Sequence, residues 1–76
     1  MRISVIIPNW NGAKFLPTCL DALRAQTHPP MEVIVVDNGS SDGSLDLLHR
    51  SYPEVKVIAW PENRGFAAAV NEGIRQ

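Results

Sequence analysis

Apolar residues fall along this chain in three short, nearly unbroken runs, separated by stretches in which they recur every three or four positions. Residues 33–36, Val-Ile-Val-Val, are the clearest run: β-branched throughout and without apolar/polar alternation, they predict a strand covered on both faces. Pro29 and Pro30 bar a helix from entering that strand, and Asp37 stands at its carboxyl end. Asn38-Gly39-Ser40 then turns the chain, and Ser41, followed by Asp42, Gly43 and Ser44, predicts a helix start with a hydroxyl free to accept from the first N–H groups.

The first run, residues 3–7 beginning at Ile3, predicts a second buried strand, with Pro8 ending its capacity to donate into a ladder and a loop over residues 9–12. Phe15, Leu16, Cys19, Leu20 and Leu23 recur at helical spacing, with Pro17 tolerated in the first turn, so helix one runs to about Gln26 and residues 27–30 connect onward. Leu45, Leu47 and Leu48 give helix two a short apolar face that stops before Pro53, and Tyr52 is expected to cover part of the sheet. Residues 55–59 predict the third strand, nearer an edge because Lys56 interrupts it. Residues 60–65, WPENRG, are the third loop, and helix three follows from Phe66 to at least Ile74, opened by alanines small enough to bring it close to the sheet.

The order is therefore β-α-β-α-β-α: an α/β unit with a three-stranded parallel sheet and no internal repeat, linker or low-complexity tract. Right-handed crossovers place all three strand ends on one rim, so that PNWNG, DNGSSDG and PENRG converge on one crevice. With 76 residues the chain is a single small unit, burying about 60% of its unfolded surface. A hydrophobic share of 45% argues against disorder, and a net charge of −1 lacks the basic footprint of a nucleic-acid binder. The lone Cys19 cannot form an internal disulfide and is expected to be reduced and buried in helix packing. No apolar run approaches the ~20 residues of a membrane span, and Met1-Arg2 leads into a strand without signal-peptide organisation. The expected location is cytoplasmic, with any association with the cytoplasmic face of the membrane made by residues beyond Gln76.

Candidate chemistry sits in the loops. Asp37 has two readings: its fixed carboxylate can accept from the N–H of a pyrimidine base or from ribose hydroxyls, or it caps the turn that follows. Trp10 either offers a face on which a base stacks or covers the sheet end. Asp42 is explained by the dipole of helix two, in whose first turn it is expected. Gly39, Gly43 and Gly65 permit close approach or positive φ. Asn63 and Arg64 can meet ribose or phosphate oxygens or stand in a solvated turn, and Asn71, an indifferent helix former, needs tertiary contacts. There is no G-x-G-x-x-G after the first strand and no P-loop motif, while His28 and His49 lack partners for a metal site. Asn38-Gly39-Ser40 matches a glycosylation acceptor, taken as chance without a secretory signal.

Together, SVIIPNWNG, VIVVDNGSSDGS and ENRGFAAAVNEGI resemble the start of a family 2 glycosyltransferase of the GT-A fold, and the resemblance covers essentially the whole chain. It implies transfer of a sugar from a nucleotide-diphosphate-sugar donor to a hydroxyl of a glycan or lipid-linked acceptor, usually with inversion and with a divalent metal, Mg or Mn. Pro8 and Trp10, flanking Asn9, match the family's Pro-x-Tyr-Asn site, with tryptophan in place of the commoner tyrosine. Asp37 matches the acid that reads base and ribose, Asn38 stands in place of a second aspartate, and Gly65 and Asn71 match positions lining the nucleotide. The expected nucleotide-sugar-binding set is thus Pro8, Asn9, Trp10, Asp37, Asn38, Asn63, Gly65 and Asn71.

The form N-R-G-F-A-A-A-x-N is similar to the branch containing rhamnosyltransferases of cell-surface polysaccharide synthesis. The family's Asp-x-Asp motif and catalytic base are expected beyond Gln76, which leaves no catalytic or metal residue here. Residues 1–76 then form the nucleotide-binding half of a longer enzyme, inactive alone. A strand order of 3-2-1, with the fourth strand normally beside the first, leaves an open edge and predicts self-association. A non-catalytic nucleotide-binding or interaction module with the same half-fold is the reading from a different class.

Overall fold

A computed structural model describes residues 4–27 and 32–75. Six elements follow in order: β1 (Ser4–Asn9), α1 (Leu16–Arg24), β2 (Glu32–Asn38), α2 (Ser44–Ser51), β3 (Lys56–Trp60) and α3 (Phe66–Arg75). The strands form one parallel sheet in the order β1-β2-β3, so the most apolar strand is central and both neighbours are edges. Ile3 and residues 28–30, expected as a strand start and a connection, lie outside the described residues.

The pleat divides the core. Val33 and Val35 join Ile7 and Val57 on the face covered by α1 and α2, where Leu16, Leu20, Leu48, Tyr52 and Val55 are buried. Ile34 and Val36 point the other way, against Ala69 of α3, with Ile58 and Trp60 beside them. Each fully buried side chain contributes about 1.5–3 kcal/mol, and β2 alone supplies two apolar side chains to each layer. α3 packs on β1 and β2, and it lies so close that a side chain at Gly73 would run into Ile6.

Several boundaries differ from expectation. β1 continues through Pro8 and Asn9, which pair with Val36 and Asp37. Proline is compatible with this because β1 is bonded on one side only. β3 begins one residue later than expected because the Val55 N–H is engaged by the Tyr52 carbonyl at 3.1 Å, and it ends on Trp60, paired with Asn38. α1 stops at Arg24 rather than Gln26. Cys19 is exposed, not buried: Leu16, Leu20 and Leu23 form the inward stripe, and Cys19 lies on the flank of α1 beside the open edge of β1. No helix among the described residues is long and apolar enough to cross a membrane.

Where the strands begin, a second set of contacts ties the helices together. Arg24, at the end of α1, donates through Nε and Nη2 to the two Glu54 carboxylate oxygens at 2.6 and 2.8 Å, and through Nη2 to the Ser51 carbonyl at 2.8 Å. Its guanidinium lies 4.3 Å from the centre of the Tyr52 ring, and the Tyr52 hydroxyl donates to Asp21 at 2.8 Å. The hydrogen bond from Arg24, assisted by the backbone, holds the Glu54 carboxyl at about 2 rather than near 4.5. Because the folded value is the lower one, this pair stabilises the fold fully above about pH 4.5, and the contribution disappears as the pH falls toward about 2. Both side chains are half exposed, so the effect is small. Glu54→Gln is expected to lower the thermal midpoint slightly at neutral pH and to flatten its decline across that acid window. Circular-dichroism melts against pH check this, and an unchanged acid limb would count against it.

Candidate functional site

The three loops meet at the carboxyl rim of the sheet because the strand ends are in register: Asn9 lies beside Asp37, and Asn38 beside Trp60. Successive residues of β2 face opposite sides, so Asp37 faces the α1 and α2 layer and Asn38 the α3 layer. That single step lets one strand end engage the first loop on one face and the third loop on the other.

Asp37 is fully buried. Its Oδ1 accepts from Asn9 Nδ2 at 2.9 Å and its Oδ2 from the Ser40 N–H at 3.1 Å. The Ser40 hydroxyl oxygen in turn accepts from Asn9 Nδ2 at 3.2 Å and from the Asn11 N–H at 2.8 Å. Asn11, held at a φ of 51°, accepts the Ser41 N–H on its Oδ1 at 2.8 Å. Ser41 therefore does not cap α2. Asp42 does so from outside the helix rather than from its first turn: its Oδ1 accepts the N–H and hydroxyl of Ser44, while Oδ2 takes the Ala13 N–H of the first loop at 2.9 Å. The Ser44 hydroxyl, followed by the Ala13 N–H, lowers the Asp42 pKa. Gly43, at a φ of 87°, is the residue from which α2 departs.

On the other face, the Asn38 carboxamide reaches the third loop. Oδ1 accepts the Arg64 N–H at 2.6 Å and Nδ2 donates to the Gly65 carbonyl at 3.1 Å. Asn63 Oδ1 accepts the Gly65 N–H at 2.7 Å, and the Arg64 guanidinium lies 4.9 Å from the centre of the Trp60 ring. Gly39, at a φ of +77°, passes so close to the third loop that a Cβ would stand 2.6 Å from the Glu62 carbonyl carbon.

A pocket of about 120 Å³ opens between these loops, lined by Pro8, Asn9, Trp10, Asn38, Asn63 and Phe66. Five of the eight expected residues are thus brought together. Asp37 lies beneath, behind Asn9. Gly65 contributes its backbone to the Asn38 contacts, and Asn71 is exposed on α3, about 7.5 Å along the axis from Phe66. Phe66, 74% exposed, faces the pocket together with Trp10, 58% exposed, whereas the sequence pattern marks it only as the start of a helix. Its signal was available: a large aromatic directly after a glycine, in the uncovered first turn. Ser40 and Asn11 were also missed as fasteners. A larger apolar cavity of about 340 Å³ adjoins on the α1 side, lined by Ile7, Trp10, Phe15, Leu16 and Cys19 among others. Among the described residues no three of His, Cys, Asp and Glu converge as metal ligands would.

The family model for glycosyl transferase family 2 matches residues 4–76. The chain belongs to that family. As a family 2 domain it is 40% identical over 79 residues to glycosyltransferase AglE of Haloferax volcanii, covering 97% of this chain and 26% of that protein. It is 38% identical over 76 residues to an uncharacterized glycosyltransferase of Nostoc, covering 96% of this chain and 24% of the relative. Among solved structures it resembles the mannosyltransferase PcManGT from Pyrobaculum calidifontis, in complex with GDP-Man and Mn2+, with a TM-score of 0.85 and 33% identity over 97% of this chain and 24% of that one. The chain spans about a quarter of the length of these relatives. Its three parallel strands alternating with helices match the N-terminal half of a GT-A fold.

The two left-handed glycines of the second loop separate local strain from tertiary contact. Gly43→Ala, with open space around the added methyl, is expected to cost about 1–2 kcal/mol from backbone conformation alone. Gly39→Ala, which meets the third-loop backbone, should cost roughly 1–3 kcal/mol more. Urea denaturation of the pair checks this; equal losses would mean that the third loop yields to the added methyl at no cost.

Proposed function

We propose that this chain is the nucleotide-binding part of a glycosyltransferase that moves a sugar from a nucleotide-diphosphate-sugar donor to an acceptor hydroxyl, with inversion. The observation that carries the reading is the pocket at the rim. Two exposed aromatic faces, Trp10 and Phe66, stand over the carboxamides of Asn9, Asn38 and Asn63. Flat apolar walls suit a stacked base, and amides supply both donors and acceptors for its edge or for ribose hydroxyls. Of the remaining expected residues, Asp37 supports Asn9 from below and through it bears on the base, Gly65 shapes the backbone at the start of α3, and Asn71 borders the nucleotide from the exposed side of that helix.

Within the family, the sequence N-R-G-F-A-A-A-x-N supports a rhamnosyltransferase-like branch, acting on a glycan or lipid-linked acceptor of the cell surface from the cytoplasmic side. The GDP-Man and Mn2+ of the related mannosyltransferase support a guanosine donor as one candidate and a divalent metal for the complete enzyme. The described residues do not themselves form a metal centre. Diphosphate-binding acids and the catalytic base are assigned to segments beyond residue 76.

Titration of the full-length protein with uridine, thymidine and guanosine diphosphates tests the reading. At least one is expected to bind, and Trp10→Ala should weaken it by about 1–3 kcal/mol, roughly five- to 150-fold. Failure of all three to bind would overturn the nucleotide assignment, and unaltered affinity in a folded Asp37→Asn variant would remove the base-reading role of Asp37.

The free side of β1 extends the reading to assembly. An apolar edge strand bonded on one side only offers a row of backbone donors and acceptors to a second copy. The 76-residue polypeptide is expected to self-associate, with a sedimentation coefficient that rises with concentration; a concentration-independent monomer would contradict this.

A further inference from the structure

Residues 63–65 cross the mouth of the pocket between β3 and α3, and side-chain carboxamides hold their backbone. Asn63 reaches forward to the Gly65 N–H, whereas Asn38 reaches across from β2, spending one acceptor on the Arg64 N–H and one donor on the Gly65 carbonyl. Because one partner is an N–H and the other a carbonyl, the orientation of the Asn38 amide is dictated by its partners. The residue is only 4% exposed. The same Gly65 carbonyl also accepts the Ala69 N–H, a bond of the first turn of α3, so Asn38 grips the point at which that helix starts.

We propose that Asn38 is a positioning residue: its carboxamide clasps the third loop to β2, fixing the start of α3 and with it the Asn63 and Phe66 wall of the nucleotide pocket. Neither a carboxylate nor an apolar side chain can do this. Aspartate keeps the acceptor for Arg64 but turns a second oxygen toward the Gly65 carbonyl, and leucine leaves the Arg64 N–H without a partner and the Gly65 carbonyl with the Ala69 N–H alone. A protonated aspartic acid, by contrast, regains a donor, and acid should therefore restore the clasp in that variant. The charged groups around the position are Asp37, on the opposite face of the same strand, and Glu62 and Arg64 of the third loop; the first turn of α3 carries none.

The effect on ligand rests on the nucleotide-binding reading, whereas the clasp itself is read without ligand. In the full-length protein, exchange of the Arg64 amide is expected to accelerate at least roughly tenfold in Asn38→Leu while the amides of residues 34–36 stay protected. Asn38→Asp should bind the nucleoside diphosphate roughly tenfold more weakly than the parent at about pH 8 and approach parental affinity at about pH 5.5. Equal affinity of Asn38→Asp and parent at the higher pH, or a loss that acid does not reverse, would overturn the proposal. So would an Arg64 amide that exchanges equally fast in parent and Asn38→Leu. If the leucine variant does not fold, Asn38→Asp compared at the two pH values decides alone. If the parent binds none of the three diphosphates, the nucleotide reading fails, and Arg64 exchange in Asn38→Leu against the parent, at one pH, still decides the clasp.

Discussion

A carboxylate that receives no solvent must be satisfied by the protein, and Asp37 imposes that demand at the end of the central strand. β2 is covered by helices on both faces, so the residue following Val36 inherits its burial. An ionised group in such a place is costly unless hydrogen-bonded. The two donors that answer it come from different segments: the Asn9 amide from the end of β1 and the Ser40 N–H from the second loop. Closing those bonds sets the position of Ser40, whose hydroxyl then collects Asn9 and Asn11, and Asn11 in turn collects Ser41. Among the described residues no buried side-chain polar atom is left without a partner. The rim is ordered because one buried charge propagates its requirement outward, loop by loop.

The pleat explains why the pocket has two chemically different supports. Asp37 and Asn38 are neighbours in sequence but face opposite layers, so the acid braces the first loop while the amide braces the third. An anion suits two donors, Asn9 and Ser40; the third loop offers a donor and an acceptor, which a neutral carboxamide matches. The order Asp-Asn is thus the order of partners on the two faces, and exchanging the two residues would mismatch both.

Much of this was legible in the sequence. Unbroken β-branched runs flanked by turn residues identified the strands, and the right-handed crossover rule placed three polar loops on one rim. What escaped was set by contacts between distant residues. The extension of β1 through Pro8 and Asn9 depends on pairing along one side only, which propensity does not encode. The pairing of Asn9 with Asp37 depends on register across 28 positions. Cys19 and Phe15 fit the helical spacing of α1, but a nine-residue helix does not announce which flank is left uncovered. Asp42 suited the first turn of α2 by its acidity, yet Gly43 delays the helix and leaves Asp42 free to join the first loop.

The location of the pocket follows from the same topology that leaves β1 open. α1 and α2 share one face of the sheet as the chain steps from β1 to β2 to β3, whereas α3 lies on the other and packs over β2 and β1. A right-handed crossover on that second face carries the chain back across the sheet, so a parallel strand following α3 would fall beside β1 rather than beyond β3. With α1 and α2 on one face and α3 on the other, the direction of winding reverses after β3. Loops that diverge at such a reversal leave a crevice between them, and the residues at its mouth here are those at the end of β1, Pro8, Asn9 and Trp10, together with the start of α3. The small side chains of α3, Ala69 and Gly73, bring that helix onto β2 and β1 and hold its first residue, Phe66, at the crevice.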